Sequence, residues 1–353
     1  MDVKKKLEKF AVVIDKKLER YWQEEVEKNF GFNLKQKELV RKMLEHSAEH
    51  NLRQAKRLRA SFVYYAYLLG RKKIDVRIFK AAMSVELVHT ALLMHDDFMD
   101  CDDFRRGKPT THKYFADGDK HYGNSMAVNV GDAVLLMGYE LLLRSGFKKE
   151  LVNEAVIQFL RGVTQTVYGQ AYDITLEKLR EWKEENVIAL HKAKTAIYTY
   201  KNPLFIGAIL SELSDEVLNI LNDYSMTGGV AFQLQDDMLG IFGDPKKTGK
   251  SANSDLLQGK CTLLIMKVLE IGSDEEKKAL LKVWGKRKAK IVDIDKAKKA
   301  IKTSGSLDYS KKISKEYAKK AERIAGKLKS LNLNSTAVDY IQGIARYMVE
   351  RDV

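Results

Sequence analysis

The stretch His95-Asp96-Asp97-Phe98-Met99-Asp100-Cys101-Asp102-Asp103-Phe104-Arg105-Arg106-Gly107 places five aspartates within eight residues and two arginines directly after them. It ends an apolar run, 81–94, that has no Pro or Gly and is typical of a buried helix. On a helix, Asp96, Asp100 and Asp103 recur at i, i+4 and i+7, so their carboxylates share one face. Like charges at this spacing repel, and a hard cation such as Mg²⁺ would compensate them. For this run taken alone, a solvated acidic helix end is the alternative interpretation.

A second acidic motif favours the metal interpretation. Residues 228–244 read Gly-Gly-Val-Ala-Phe-Gln-Leu-Gln-Asp-Asp-Met-Leu-Gly-Ile-Phe-Gly-Asp, again an apolar segment that ends in an Asp-Asp pair. Asp236, Gly240 and Asp244 occupy one helical face, with Gly at the position where the first motif has Asp100. We expect the two helices to face each other and to hold a metal–diphosphate cluster.

Both motifs resemble those of trans-isoprenyl diphosphate synthases, the polyprenyl synthetase family, of the geranylgeranyl diphosphate synthase type. The first matches the family's DDxxD followed by RRG. The second is similar to the variant whose last Asp is Gly, and it continues as FGDPxxxGK through Lys250. The resemblance implies an all-α fold, a single large helical bundle with a central cavity, and one domain over residues 1–353. Residues 1–50 resemble the family only loosely.

Composition agrees with an all-α fold. Only three prolines occur in 353 residues, the apolar residues recur with a 3.6-residue period, and no strand alternation bounded by hairpin turns is present. Cys101 and Cys261 form no disulfide framework, so we expect a protein of the reducing cytoplasm. No uninterrupted apolar run reaches the roughly 18 residues of a membrane-spanning helix. The charged N-terminus lacks the apolar core of a signal peptide.

The net charge of +14 indicates an anionic partner, and much of it lies in residues 277–329. We interpret that stretch mainly as a solvated helical face. Transient contact with a membrane surface is the second interpretation, since it would suit an enzyme that releases a lipid product. Nucleic acid is not expected as a partner, because no recognised module or aromatic stacking ladder is present.

Two structural expectations concern other helices. Residues 1–50 read as two amphipathic helices with Asn33 as the cap between them. Phe10, Val13, Ile14, Leu18 and Trp22 are expected in a core or a subunit interface. The apolar helix 126–143 carries Asp132 inside it, where a buried carboxylate would need partners.

The resemblance also assigns substrate-binding residues. The basic segment 53–60 precedes an apolar helix, whose N-terminus favours anions, although an ordinary basic loop would look the same. It stands where the family has GGKxxRP, which implies that Lys56 and Arg59 bind the diphosphate of isopentenyl diphosphate. The residues that flank these two cations depart from the family pattern. His89 matches a family position that contacts the same substrate, whereas a lone histidine on an apolar helix is more often a core residue.

A further set follows along the chain. Gln170 and Asp173, at i and i+3, should face the same cavity. Residues 194–196 resemble the family's KTA motif, in which Lys neutralises diphosphate and Thr faces a developing carbocation. In full, the resemblance implies catalytic Lys194, Thr195 and Gln233, substrate-binding Lys56, Arg59, His89, Arg105, Arg106, Gln170, Lys250 and Lys260, and Mg²⁺ ligands Asp96, Asp97, Asp100, Asp236, Asp237 and Asp244.

The implied activity is Mg²⁺-dependent head-to-tail prenyl transfer. Isopentenyl diphosphate condenses with an allylic diphosphate to give a longer trans-polyprenyl diphosphate, and no side chain has to act as a nucleophile. Small Ala91, five residues before Asp96, favours a product of C20 or longer, because relatives that stop at short chains usually have an aromatic residue there. The resemblance also implies a homodimer.

Two other activities share parts of this pattern. A class I terpene cyclase would carry the first motif, but its second metal motif usually has Asn, Ser and Glu, and it needs no isopentenyl diphosphate site. A non-catalytic subunit of a heteromeric prenyl synthase would usually have damaged aspartate motifs, and Asp96, Asp97 and Asp100 are intact.

Overall fold

The computed structural model describes residues 2–28, 30–179, 183–243 and 253–350. Helices account for most of this part of the chain, and its two strands form one short hairpin. In chain order the elements are α1 (Val3–Val26), α2 (Leu34–Leu52), α3 (Leu58–Leu69), α4 (Ile78–Met99), β1 (Phe104–Arg105), β2 (Lys108–Pro109), α5 (Thr111–Ala116), α6 (Lys120–Leu143), α7 (Lys149–Leu179), α8 (Glu184–Leu190), a π-helix (His191–Lys201), α9 (Asn202–Leu210), α10 (Asp215–Phe242), α11 (Ser254–Gln258), α12 (Leu263–Ile271), α13 (Asp274–Leu281), α14 (Ile291–Thr303), α15 (Ser306–Gly326), a 3₁₀ helix (Lys327–Ser330) and α16 (Ser335–Val349). The predicted all-α fold is confirmed.

The chain divides into two compact units. The N-terminal unit comprises Asp2–Ile157 and Ile206–Glu212, and the C-terminal unit comprises Gln158–Phe205 and Leu213–Val353. The first acidic motif lies in the N-terminal unit and the second in the C-terminal unit. One domain over residues 1–353 stays a prediction.

The first two helices begin where the sequence predicts. The Asn33 side chain caps α2, and its Oδ1 accepts a hydrogen bond from the Gln36 backbone N–H at 3.0 Å. The inner face of α1 is buried, with Trp22 donating its indole N–H to Asn51 Oδ1 at 2.9 Å. Val13 is exposed in the single chain, because it lies one residue out of phase with the buried face. Of the two predicted places for it, the subunit interface therefore stays a prediction.

Helices α4 and α6 pack closely because α6 has glycine where α4 crosses it. A Cβ atom on Gly138 would lie 2.6 Å from Val88 Cγ2, and one on Gly131 would lie 2.2 Å from His95 Nε2. His95 Nε2 also lies 3.4 Å from Asp132 Oδ1. The expectation of a buried Asp132 was wrong, because its side chain points to the exposed side of α6.

Among the described residues, one helix, α6, is long and apolar enough to cross a membrane, and 44% of its most apolar window is buried inside the protein. The core helix of a protein can have the same length and composition. The expectation of no membrane-spanning helix stays a prediction.

The C-terminal unit is organised on α10, which packs against the π-helix and α15. The contact with the π-helix depends on Gly229, since a Cβ atom there would lie 2.3 Å from Ala196 Cα. Five residues earlier on α10, the buried Tyr224 hydroxyl donates to the Ile341 carbonyl at 2.7 Å. These contacts fix the helix that carries the second acidic motif.

Candidate active site

A two-residue turn orients the arginines that follow the first motif. Arg106 and Gly107 both have positive φ, 53° and 76°, and they connect β1 to β2. Positive φ at both central residues is typical of a type I′ hairpin turn, which explains the glycine after the two arginines. The Arg53 guanidinium holds the hairpin by donating to the carbonyls of Arg105 at 3.1 Å and Pro109 at 2.8 Å. This hairpin was not predicted from the sequence, because two-residue strands are too short to show alternation.

The two adjacent aspartates of the first motif have different environments. Asp97 is 0% exposed, and its Oδ1 accepts a 2.6 Å hydrogen bond from Arg105 Nε and a second contact from the same guanidinium. Burial alone lowers the pKa of Arg105, but the Asp97 carboxylate outweighs it and the pKa is raised. Asp96 is only partly buried, with Oδ2 3.9 Å from Arg105. Asp96 is therefore the more accessible carboxylate.

A buried histidine lies behind Asp97. His50 Nε2 is 3.7 Å from Asp97 Oδ2, longer than a hydrogen bond. Burial lowers the pKa of His50, although the Asp97 carboxylate acts in the opposite direction. The sequence analysis did not single out His50, because nothing in the sequence connects α2 with this part of α4.

A group of cations lies near the first motif in the N-terminal unit. Arg59 lies 3.0 Å from His89 Nε2, and the pKa of His89 is well below its usual value because of burial and then the charge of Arg59. The neutral His89 therefore accepts from Arg59. Burial, and next the charge of Arg105, lower the pKa of Arg106 to about 10. Such mutual repulsion is relieved by an anion, and a diphosphate is suited to this role.

Some cations of the basic segment 53–60 are buried and hold the structure together, and others are accessible to solvent. The buried Arg57 donates to Asp15 at 2.6 Å, to Glu86 at 3.1 Å and to the Asn51 carbonyl at 2.7 Å. Its backbone is left-handed, with φ 53°, and this turns the side chain into the protein. The two cations that the resemblance assigned to substrate, Lys56 and Arg59, are exposed and half-buried respectively.

The second motif repeats the arrangement of the first with other partners. Asp237 is buried, and its Oδ1 accepts a hydrogen bond from Gln233 Nε2 at 2.7 Å. His191 Nε2 lies 3.1 Å from Asp237 Oδ2. The Thr195 hydroxyl donates to Gln233 Oε1 at 2.6 Å, so a polar chain links Thr195 to the motif. Asp236 is half-buried, as Asp96 is.

A carboxylate from another helix covers the glycine of the second motif. A Cβ atom on Gly240 would lie 2.2 Å from Asp255 Oδ2. Since residues four apart on a helix are neighbours about 5–6 Å apart at Cβ, this carboxylate lies on the face that carries Asp236. Asp255 was not predicted as a site residue from the sequence. The sequence feature that could have pointed to such a carboxylate is Gly240, which stands where the first motif has Asp100.

The KTA-like segment lies in a π-helix, His191–Lys201, which carries His191, Lys194 and Thr195. π-Helical turns are rare and frequent at functional sites. The segment is tightly packed, because a Cβ atom on Gly169 of α7 would lie 2.7 Å from the Lys194 backbone nitrogen. The glycine that precedes Gln170 is thus explained by packing.

Asp173 brings together two predicted diphosphate ligands. Its buried Oδ2 lies 2.7 Å from Lys194 Nζ and 3.3 Å from Lys260 Nζ, and Lys260 also pairs with Glu177 at 2.7 Å. Gln170, one turn before Asp173 on α7, is half-buried. The predicted ligands Asp244 and Lys250 lie outside the described residues.

The chemistry of the accessible oxygen donors fits Mg²⁺. Asp96 and Asp100 lie one turn apart on one helical face, and both are half-buried. Within 2–28, 30–179, 183–243 and 253–350, no three His, Cys, Asp or Glu side chains form a complete metal site. Mg²⁺ typically takes one or two carboxylates and completes its shell with water and substrate phosphates. A small set of carboxylates therefore fits a metal shared with diphosphate.

A sequence model of the polyprenyl synthetase family matches residues 41–301. The chain belongs to this family. It is 32% identical to a geranylgeranyl diphosphate synthase from Saccharolobus solfataricus over 278 residues, 78% of this chain and 80% of the relative. It is 31% identical to a geranylfarnesyl diphosphate synthase from Aeropyrum pernix over 289 residues, 81% of this chain and 86% of the relative.

A solved structure gives the same result for the fold. The crystal structure of a geranylgeranyl pyrophosphate synthase from Corynebacterium glutamicum, complexed with isoprenyl diphosphate and magnesium, is similar with a TM-score of 0.88 and 26% identity. The similarity covers 100% of both chains. The predicted family, the isoprenoid synthase type of fold and the head-to-tail trans-prenyltransferase class of enzyme are confirmed.

Proposed function

We propose that this family member condenses isopentenyl diphosphate with an allylic diphosphate in a Mg²⁺-dependent reaction. The proposal rests on two neighbouring cations, Arg59 and Arg106, with the neutral His89 beside Arg59. This group lies in the same unit as the first aspartate motif. A terpene cyclase has no need of a second diphosphate site. The group therefore favours an enzyme with two diphosphate substrates.

We assign different roles to the two aspartates of each pair. Asp96, Asp100 and Asp236 are proposed Mg²⁺ ligands, together with Asp244, which lies outside the described residues, and Asp255. The buried Asp97 and Asp237 were predicted as ligands too, and this stays a prediction. Their contacts with Arg105 and Gln233 support a positioning role, because each carboxylate already accepts hydrogen bonds from the protein.

The proposed mechanism begins with loss of diphosphate from the allylic substrate. Mg²⁺, when bound, supplies neutralising charge for the leaving group. Lys194 and Lys260 add positive charge, and Lys250 is proposed to do so as well. The Thr195 hydroxyl donates its hydrogen bond to Gln233 Oε1, so its oxygen lone pairs are available to a developing allylic cation. Oxygen atoms stabilise the cation, and their weak nucleophilicity here limits trapping.

Isopentenyl diphosphate is proposed to be held by Lys56, Arg59, His89 and Arg106. Because His89 accepts from Arg59, the guanidinium is oriented by a neutral partner and keeps its full positive charge for the diphosphate. The double bond of the bound substrate attacks the allylic cation, and the released diphosphate accepts the final proton. Gln170 and Arg105 are proposed to contact the allylic diphosphate.

We propose a product of C20 or longer. The named relatives are geranylgeranyl and geranylfarnesyl diphosphate synthases. Ala91 is fully buried on α4, and we propose that its small side chain leaves the path of the growing product open where an aromatic side chain would block it. We expect Ala91→Phe to shorten the product, measured by chromatography of the dephosphorylated prenols. Ala82→Phe, at another fully buried alanine on α4, controls for overpacking; the same shortening in both variants would contradict a depth role specific to Ala91.

We propose a cytoplasmic homodimer that buries an apolar surface of α6. Val128, Leu136 and Leu143 are exposed and lie within one helical arc. Exposed apolar surfaces of this kind often mark subunit interfaces. Sedimentation equilibrium measures the association.

Incubation with isopentenyl diphosphate, allylic diphosphates of increasing length and Mg²⁺ tests the proposed function. We expect longer prenyl diphosphates that appear only when both substrates are present. A cyclised hydrocarbon from the allylic substrate alone would identify a cyclase. Absence of turnover until a second protein is added would identify a subunit of a heteromeric synthase.

A further inference from the structure

A basic corner with an exposed apolar tip lies at the start of α14. We define the basic corner as residues 286–292, which read Lys-Arg-Lys-Ala-Lys-Ile-Val. Its four cations are all exposed. The two apolar residues that follow them, Ile291 and Val292, are 76% and 63% exposed. Adjacent large aliphatic side chains at such exposure are costly in water unless something covers them.

The corner is anchored to the protein and is not a frayed end. The backbone N–H of Gly285 donates to the Leu256 carbonyl at 3.1 Å, and that of Ala289 donates to Lys286 at 3.0 Å. Just before the corner, Trp284 is buried in the apolar core. Just after it, Ile294 enters the same core. The exposed tip is therefore held in a defined position.

The apolar face of α14 explains why Ile291 protrudes. Ile294, Ala297 and Ile301 are buried at helical spacing. Ile291 continues this face one turn towards the N-terminus, beyond the edge of the core. Intramolecular packing thus uses the face from Ile294 onwards and leaves the first turn uncovered.

We propose that the basic corner binds the surface of an anionic membrane. Clustered Lys and Arg are attracted to anionic lipid head groups, and neighbouring aliphatic side chains insert into the head-group and acyl boundary. The corner supplies both components within seven residues. Nucleic acid would use the cations and leave Ile291 and Val292 without a partner.

The purpose of the contact rests on the proposed function, because the product would be a long-chain amphiphile that partitions into a bilayer. Binding to the membrane does not require the reaction. The two proposals can therefore fail separately, and the experiment measures binding without substrate.

The test is flotation of the full-length protein with vesicles of phosphatidylglycerol and phosphatidylcholine, compared with vesicles of phosphatidylcholine alone. We expect binding only to the anionic vesicles, and weaker binding at higher salt. The double variant Ile291→Ser/Val292→Ser should lose at least about tenfold in affinity. Lys288→Glu/Lys290→Glu should lose at least about fivefold for each charge.

Matched controls use exposed apolar residues elsewhere. Val76→Ser, at a single side chain 73% exposed in the N-terminal unit, should bind vesicles as the unaltered protein does. Phe32→Ser tests the other highly exposed apolar loop. Loss of vesicle binding in Phe32→Ser but not in Ile291→Ser/Val292→Ser would overturn the proposal.

Two further outcomes would also overturn it. One is equal binding to neutral and anionic vesicles. The other is binding to a duplex DNA probe that the charge variant loses and the apolar variant keeps, since this would assign the cations to nucleic acid. Prenyl transfer by the Ile291→Ser/Val292→Ser variant with soluble substrates, measured in parallel, should be unchanged because the corner contains no proposed active-site residue.

Discussion

Asp97 and Asp237 occupy the same position in their motifs, but different side chains donate hydrogen bonds to them. Asp97 accepts from the guanidinium of Arg105, with His50 3.7 Å away. Asp237 accepts from the amide of Gln233, with His191 3.1 Å away. Both carboxylates are buried, and each has a histidine near Oδ2. The first motif is therefore linked to a cation that suits diphosphate, and the second to the Thr195 hydroxyl that suits a carbocation.

The fifth position of the motifs differs as well. The first has Asp100, and the second has Gly240 with Asp255 over it. Where α10 lacks a carboxylate, the C-terminal unit thus supplies one from α11. In the first motif both carboxylates, Asp96 and Asp100, follow one another at the end of α4. In the second, Asp236 comes from α10 and Asp255 from α11.

The largest expected effect is a loss of stability, which should be greater for the Asp97–Arg105 pair than for the Asp237–Gln233 pair. Asp97→Ala should lower the free energy of unfolding by about 3–5 kcal/mol, because it removes the closest and only fully buried counter-ion of the Arg105 guanidinium. Asp237→Ala should cost only about 1–3 kcal/mol, because the neutral Gln233 amide loses its acceptor. Urea unfolding followed by circular dichroism measures both. Equal losses would contradict the comparison, and Asp97→Ala/Arg105→Met should recover part of the first loss.

The next effect concerns the fifth position. Asp255→Gly should weaken Mn²⁺ binding in the presence of inorganic diphosphate by about tenfold, a loss of roughly 1.4 kcal/mol. Adding Gly240→Asp to that variant should restore binding, because it returns the carboxylate to the face of Asp236. Electron paramagnetic resonance of bound Mn²⁺ measures the affinity. Asp295→Asn, at an exposed carboxylate of α14, is the control and should change nothing.

A smaller effect should follow from breaking the polar chain of the second motif. Thr195→Val removes the hydroxyl that donates to Gln233 and should lower kcat/KM by about tenfold, the effect of roughly one hydrogen bond. Steady-state kinetics measure it, with the thermal midpoint as a check on folding. Thr164→Val is the matched control, since its exposed hydroxyl only bonds the Leu160 carbonyl. An unchanged kcat/KM in Thr195→Val would remove Thr195 from the mechanism.

The effect that is smallest at neutral pH is a pH dependence of the stability of the N-terminal unit. Burial, and next the charge of His50, lower the pKa of His46 from 6.5 to about 3. The unfolded chain therefore binds a proton that the folded chain does not, and stability falls as the pH drops from 6.5 towards 3. Urea midpoints across this range should fall less steeply for His46→Gln than for the unaltered protein. Parallel slopes would show that other groups determine the acid sensitivity.

The sequence was sufficient for the features that depend on local patterns. Periodicity and few prolines predicted the helices, and Asn33 was a correct cap because capping involves only the next three residues. The two motifs were enough to identify the family. The expectation of a buried Asp132 failed, because a helical pattern does not define the edges of the face that neighbouring helices cover.

The sequence by itself determined the all-α fold, the family and two acidic motifs of unequal composition. Only the tertiary structure decided which carboxylates of the described residues are accessible: Asp97 and Asp237 are buried with partners, whereas Asp96 and Asp236 stay partly exposed. It also placed Asp255 over Gly240. The physical reason is that burial and pairing join residues far apart in the chain, such as His50 with Asp97 and His191 with Asp237, and spacing along one helix carries no information about them.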